Sequence, residues 1–472
     1  MPPTVSGLLN YLAASPSPYH AVRSAADRLY EAGWQRLDLR DSWTNLPDRA
    51  YVASGGALIA WNRPGTRPVS AGFRIVGAHT DSPNLRLKPR PDTGSMGWRQ
   101  LAIEIYGGAL LNSWLDRDLG LSGRVVTGTD VHLVHLNDPI ARVPQLAIHL
   151  DRDVNDKGVL LDKQQHLTPI WGVGPTTEGD FSRWLAGHLG LRPTDILSWD
   201  LMFHDLSAPA LLGPDQDLIA SARLDNLVSC WCALEALLSA EPTDAGTPLI
   251  CLFDHEEVGS ESATGAAGPL LQAVLERLCQ STRDDATFRR SLAASVCVSS
   301  DMAHAVHPNY PERHEAAHRP LPNAGPVIKV NANQRYATDA VTHAMFLRAC
   351  ETAGVPSQVF VSKNSMPCGS TIGPITATRL GIPTVDVGCA QLSMHSAREL
   401  CGAADPAMMV AALGAFLVDA RGVASCRRDG HYGRMLYASA DPSSDLRGVV
   451  SVDPNVAVGQ VAAVRRKRAI GY

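Results

Sequence analysis

The chain has 472 residues, 45% of them hydrophobic and 19% charged, with a formal net charge of −5. This is ordinary globular composition, long enough for two or three domains, and it excludes a basic nucleic-acid footprint and a cationic membrane-surface patch. No apolar run reaches the length of a membrane span.

The N-terminal stretch "MPPTVSGLLNYLAASPSPYHAV" lacks a basic n-region and a continuous apolar core, so a signal peptide is not expected. Residues 5–32 read as two short helices separated by "SPSP", with a serine able to cap the second. "YVASGGALIAW" and "FRIVGAHTDSP" follow as strands, the second almost continuously apolar up to His79, as suits a strand covered on both faces.

From about Arg90 to Asp217 the pattern changes. "LAIEIYGG", "GRVVTG", "VHLVHL" and "QLAIHLDRDV" alternate apolar and polar residues, the mark of half-exposed antiparallel strands. We read this region as an inserted β-rich domain. Helix and strand then alternate through "DNLVSCWCALEALLSA", "TPLICLFDHE", "GPLLQAVLERLCQ", "SLAASVCVSSD", "AVTHAMFLRACETAG", "SQVFVSK", "PTVDVG" and "DPAMMVAALGAFLVDARG". That order predicts an α/β three-layer sandwich with a mostly parallel central sheet. The expected division is 1–92 with 218–428 around an insertion at 93–217, followed by a loosely packed tail at 429–472. All ten cysteines lie between Cys230 and Cys426 with no CxxC pair, which predicts buried free thiols in a reducing, cytoplasmic compartment.

Polar clusters recur where the apolar runs stop. His79, Thr80 and Asp81 follow "FRIVGA", Asp254 to Glu257 follow "PLICLF", and Asp301 follows "ASVCVSS". His395 lies in "QLSMHS", and Asp225 stands where an N-cap would open a helix. In open α/β sheets ligands bind beyond the carboxyl ends of the strands, so these segments can converge on one crevice. Histidines and carboxylates without cysteine suit zinc, cobalt or manganese. A two-ion arrangement assigns Asp225 as bridge, His79 and Asp301 to one ion, and Glu257 and His395 to the other. Glu256 is then left beside the ions as a base that moves a proton to the leaving amine. Taken singly, each of these residues also fits a capping or solvated role; the five positions together favour the metal.

At these residues the chain resembles the aspartyl aminopeptidases, co-catalytic zinc metallopeptidases. The matching segments include "GAHTDSPNLRLKP", "YGGALLNSWLDRDL", "AIHLDRDVN", "SARLDNL", "FDHEEVGS", "SSDMAHAVHPNY", "GPVIKVNANQRYATD", "PCGSTIGP" and "QLSMHSARE", spread from about residue 10 to 425. The resemblance implies two zinc ions on His79, Asp225, Glu257, Asp301 and His395, with Glu256 as general base and Asp81 orienting a histidine. It implies that the β-rich insertion is a dimerisation domain, and that the chain forms homo-oligomers, typically tetrahedral dodecamers that admit only short peptides. It also implies a preference for peptides with a free N-terminal Asp or Glu, read by Lys329, a compact point charge, and by His149 reaching a neighbouring subunit's pocket. The tail has no counterpart in that pattern. Alternatives are a metallo-deacylase or carboxypeptidase on the same core, or a non-catalytic assembly protein. No role follows from the sequence for Asp254, His255, His304 or His307.

Overall fold

The computed structural model describes residues 4–63, 71–128, 130–241, 243, 246–279 and 285–419; the expected tail at 429–472 and Cys426 lie outside the described residues. A mixed nine-stranded sheet runs through the middle of this part of the chain. In spatial order its strands are Gln35–Arg36, Arg49–Ser54, Ala57–Asn62, Thr247–Phe253, Phe73–His79, Val296–Ser300, Thr384–Gly388, Val327–Val330 and Gln358–Val361. The four strands from Thr247–Phe253 to Thr384–Gly388 are mutually parallel.

The apolar runs are continuous because both faces of the sheet are covered. On one face Val76, Ala78, Ile250 and Leu252 pack with Leu12 and Leu29 of the N-terminal helices Val5–Ala14 and Pro18–Glu31. The same cluster takes in Leu234 of Leu224–Ser239, Phe346 of Ala340–Ala353 and Leu413 of Asp405–Val418. On the other face Phe73, Ile75, Leu249 and Phe253 pack with Val274 and Leu275 of Leu270–Cys279 and with Ile372 of Ile372–Leu380. Each fully buried Val, Leu, Ile or Phe side chain among them contributes roughly 1.5–3 kcal/mol. Three layers result, as the alternation of helix and strand predicts.

Register decides what the strand ends present. Phe253 lies opposite His79 and Val298 opposite Val76, so the residues that follow all three strands emerge side by side. A Cβ on Gly388 would run into the Asp301 carbonyl, so glycine lets the end of Thr384–Gly388 pass against this corner.

Two further sheets flank this edge. One is six-stranded and antiparallel, in the order Asp130–Ala141, Leu119–Thr127, Ser198–Asp205, Asn84–Ser95, Trp98–Tyr106 and Ile170–Val173. Helix Asp180–Leu189 covers its apolar face through Phe181 and Leu185, against Leu85, Leu101 and Leu201. The other is five-stranded and small: Ala210–Leu212, Leu218–Ser221, Glu399–Gly402, Ala390–Leu392 and Ala303–His304. It pairs Ser221 with Glu399, and so sets the segment leading to Asp225 beside the hairpin that carries His395.

Four local expectations are corrected. "YVASGGALIAW" is a hairpin, Arg49–Ser54 and Ala57–Asn62, because the chain turns at Gly55 and Gly56, with φ +58° at Gly55. "QLAIHLDRDV" is a projecting turn instead of a strand. Pro144 has no N–H for a ladder, Leu150 N donates to Ala147 O at 2.8 Å, and Leu146, Ile148 and Leu150 stay exposed. Ser17 stands at the N-cap of Pro18–Glu31 but its hydroxyl contacts His20 Nδ1 at 2.7 Å instead of capping. Asp225 is no cap; the cap position falls at Arg223, and Asp225 has φ −82° and ψ 105° inside the first turn.

Candidate functional site

The carboxyl ends of the central strands, the start of helix Leu224–Ser239 and the hairpin of the small sheet bring His79, Asp225, Glu256, Glu257, Asp301 and His395 together. His79 closes strand Phe73–His79 and is 1% exposed. Its Nε2 lies 3.3 Å from Asp225 Oδ1, 3.9 Å from Asp301 Oδ2 and 4.0 Å from Glu256 Oε2. His395 Nε2 lies 3.2 Å from Glu257 Oε2 and 3.6 Å from Asp225 Oδ2. The two oxygens of Asp225 therefore face two different imidazoles. Among the described residues three sets each offer ligand atoms within 4.8 Å of one another: His79, Asp225 and Asp301; Asp225, Glu257 and His395; and His79, Glu256 and Glu257.

The donor chemistry fits a cation. His79 Nδ1 lies 3.0 Å from the Asp81 carbonyl and His395 Nδ1 lies 3.0 Å from the Gly108 carbonyl, contacts that place the ring proton on Nδ1 in both cases. Each ring then turns its Nε2 toward carboxylate oxygens, and an ion held between them would be bound by the Nε2 lone pair of each ring. Asp225 Oδ1 and Glu257 Oε1 are buried with no hydrogen-bond partner among the described residues, which a ligated ion would supply. Burial, against the attraction of His79 and reinforced by repulsion from Asp301 and Asp225, pushes the Glu256 carboxyl up to about 8. Burial and Asp225 likewise hold Glu257 well above the ordinary carboxylate range.

Local backbone explains the turn that carries the two glutamates. His255 is left-handed at φ 64°, and the chain reverses there into the short helix Glu256–Val258. Asp81 receives the reversed backbone: its Oδ1 accepts Glu256 N–H at 3.0 Å and its Oδ2 accepts Glu257 N–H at 3.1 Å. Asp81 Oδ1 also lies 3.4 Å from His79 Nδ1. Burial opposes its ionisation, but the contacts with His79, Tyr106 and Glu257 N–H outweigh burial and keep its pKa lowered.

Lys329 is 2% exposed; its Nζ donates to Met302 O at 3.1 Å and lies 3.7 Å from Asp301 Oδ1. It thus borders the cluster. His149 does not join it: it lies in the exposed turn at 145–150, and among the described residues no hydrogen bond or ion pair ties it to the other site residues. Asp254 and His255 shape the glutamate turn, with Asp254 Oδ1 accepting His255 N–H at 2.9 Å and His255 Nδ1 at 2.9 Å from Ser262 Oγ. His304 packs edge-on against Phe360. His307 Nδ1 accepts from Asn309 N–H at 3.2 Å, within its own loop.

Two residues escape sequence reasoning. Tyr106 donates to Asp81 Oδ2 at 2.7 Å, and Glu399 accepts the backbone N–H groups of Asp225 and His395. The only signal for Glu399 is its place four residues after His395 in "MHSARE".

Comparison with known proteins identifies the family. The family model described as aminopeptidase I zinc metalloprotease (M18) matches residues 11–417. A probable M18 family aminopeptidase 2 of Streptomyces avermitilis is 55% identical over 416 residues, covering 87% of this chain and 96% of the relative. Ape4, in its complex with Nbr1, superposes with a TM-score of 0.84 at 35% identity over 88% of this chain and 85% of that one. The Saccharomyces cerevisiae mApe1 dodecamer gives a TM-score of 0.76 at 26% identity over 87% of this chain and 95% of that one. The chain belongs to the M18 family of zinc metallo-aminopeptidases.

Proposed function

We propose that this aminopeptidase releases acidic residues, Asp or Glu, from the free N-termini of short peptides, and that each subunit holds two zinc ions. The carrying observation is Asp225, whose Oδ1 faces His79 Nε2 while its Oδ2 faces His395 Nε2. In this reading His79, Asp225 and Asp301 would hold one ion, and Asp225, Glu257 and His395 the other. Bound zinc supplies Lewis acidity for the scissile carbonyl. Cobalt or manganese suits the same donors.

Glu256 moves the proton. Its carboxylate takes one from the water that attacks the carbonyl carbon and returns it to the amine nitrogen as the C–N bond breaks. Asp81 keeps that carboxylate in place by accepting the backbone N–H of Glu256 and Glu257. Lys329 supplies the positive charge that favours an acidic side chain; it borders the site beside Asp301. The free substrate amine distinguishes this reaction from the deacylase and carboxypeptidase alternatives, and nothing in the site favours those.

An insertion between the two parts of the catalytic domain, read from the sequence as 93–217 between 1–92 and 218–428, is supported by the separate antiparallel sheet built from residues 84–205, whose strand Asn84–Ser95 begins ahead of the 92/93 boundary. We assign that insertion to contact with a second copy of the chain, in a homo-oligomer like the mApe1 dodecamer. Exposed Leu146 and Ile148 line a groove there of about 930 Å³ together with Val159 and Leu160, exposed Leu150 lies on the same turn, and His149 on that turn would reach the partner's substrate. A cytoplasmic setting accords with nine free cysteines among the described residues and with no described helix long and apolar enough to cross a membrane.

The experiment is hydrolysis of peptides carrying free N-terminal Asp, Glu, Leu or Lys, with and without an N-terminal block, alongside zinc counting per subunit. Preference for free Asp and Glu with two zinc ions supports the reading. Equal rates on all four peptides, activity on blocked peptides, or a single tightly held ion overturns its respective part.

A further inference from the structure

Asp81 is the point at which three segments meet, and one of them comes from outside the central sheet. Its Oδ1 accepts Glu256 N–H at 3.0 Å and its Oδ2 accepts Glu257 N–H at 3.1 Å. The third donor is the Tyr106 hydroxyl, 2.7 Å from Oδ2, at the end of strand Trp98–Tyr106 in the six-stranded sheet. Tyr106 is 7% exposed, and the Arg86 guanidinium of the neighbouring strand stacks on its ring at 3.9 Å from the centroid. A cation over the ring face withdraws electron density and makes the hydroxyl a stronger donor.

We infer that Tyr106 is a positioning residue for the peptidase reaction, locking the Asp81 carboxylate so that it holds His79 and the Glu256–Glu257 backbone in their working places. The inference rests on the proposed roles of His79 as zinc ligand and Glu256 as proton carrier. A carboxylate rotates easily about its last bond; two N–H donors from one turn set its distance from that turn, and a third donor from another direction sets its plane. Without the hydroxyl, Oδ2 keeps only the Glu257 N–H, and the buried carboxylate is free to tilt away from the turn. Tyr106 touches neither substrate nor ion in this scheme, so its effect reaches the chemistry only through Asp81. The six-stranded sheet is thereby linked, through Asp81, to the backbone of the proton-moving glutamate.

The test is Tyr106→Phe in the full chain, which keeps the ring and its stack with Arg86. Zinc affinity, read by chelator competition, is expected to weaken by up to about 10-fold, the low end of the effect of losing a partner directly behind a metal ligand, because Tyr106 acts one contact further out. Turnover is expected to fall with KM for a free Asp peptide within about two-fold of the parent. Asp81→Asn and the double variant complete a cycle: effects acting through one carboxylate are strongly non-additive, whereas a general loss of packing adds. Backbone hydrogen exchange across residues 254–259, measured on zinc-free protein, is expected to speed up. Should Tyr106→Phe fail to unfold cooperatively, 3-fluorotyrosine at position 106 strengthens the same donor and should tighten zinc binding. A folded Tyr106→Phe with parental zinc affinity and exchange, additive cycle energies, or unchanged zinc affinity with fluorotyrosine overturns the inference. Failure of the two-zinc reading has a different signature, namely wild-type protein that takes up fewer than two ions.

Discussion

Glu399 and Asp225 are joined at the backbone: Glu399 Oε2 accepts the Asp225 N–H at 3.0 Å, while its Oε1 accepts the His395 N–H at 2.6 Å. One carboxylate, 2% exposed, thus ties together the two segments that carry the proposed bridging ligand and one of the proposed histidine ligands. Glu399→Gln keeps the shape but turns an NH₂ group toward one of these N–H donors. Leaving a buried donor unsatisfied costs about 1–3 kcal/mol. The expected outcome is a protein of lower denaturation midpoint that retains less zinc after dialysis and turns over at least about ten-fold more slowly. Metal analysis with unfolding curves checks it; parental zinc content and midpoint would refute the role.

Glu256→Gln separates proton movement from metal binding. The amide cannot take a proton from water, so turnover should fall about 10²–10⁴-fold. Zinc content should stay at the parental level because Glu256 is outside both proposed ligand sets. A variant with near-parental turnover removes Glu256 from the base role.

Lys329 faces a sharper test than the sequence alone would set. Its ammonium is shared with the Met302 carbonyl and Asp301, and its charge opposes the burial that raises Asp301 to about 6. Lys329→Met should lower kcat/KM on Asp and Glu peptides more than on Leu peptides if the charge reads substrate. An equal loss on all peptides, with reduced zinc retention, assigns Lys329 to the support of Asp301 instead.

Stability should fall in mild acid through His20. Burial, together with His135 and Arg223, pushes His20 down to about 4; its Nδ1 meets Ser17 Oγ at 2.7 Å, and its ring meets that of His135 edge-on. The folded pKa lies below the unfolded value of 6.5, so the unfolded chain binds more protons between the two. The contribution is therefore fully present above about pH 6.5 and is lost as pH falls toward 4, by about 2 kcal/mol at pH 5. His20→Gln should shrink the difference in unfolding midpoint between pH 7 and pH 5; an unchanged difference would show that other groups set it.

The parts legible in the sequence are those where one local pattern has one physical meaning. Phe73–His79 and Thr247–Phe253 read as strands because both faces are buried, and the charges that follow them mark where the strands leave the core. The alternation of Leu146, Ile148 and Leu150 misleads because a projecting turn and a half-exposed strand share that period. Asp225 reads as a cap from its place at a helix start, whereas in the fold it has non-helical angles inside the first turn and donates its N–H to Glu399, a contact the sequence does not show. Tyr106 and Glu399 were invisible for a common reason. Tyr106 meets Asp81 and Glu399 meets Asp225 across long stretches of sequence, and such bonds leave no period; only the Glu399–His395 contact is local.

Asp225 joins a histidine near the start of the chain to one near its end. A growing chain on the ribosome has His79, and later Glu256, long before His395 is made. In the proposed scheme, a chain that ends before the hairpin at 390–402 would lack both His395 and the Glu399 that holds it, and so would hold only one of the two ligand sets.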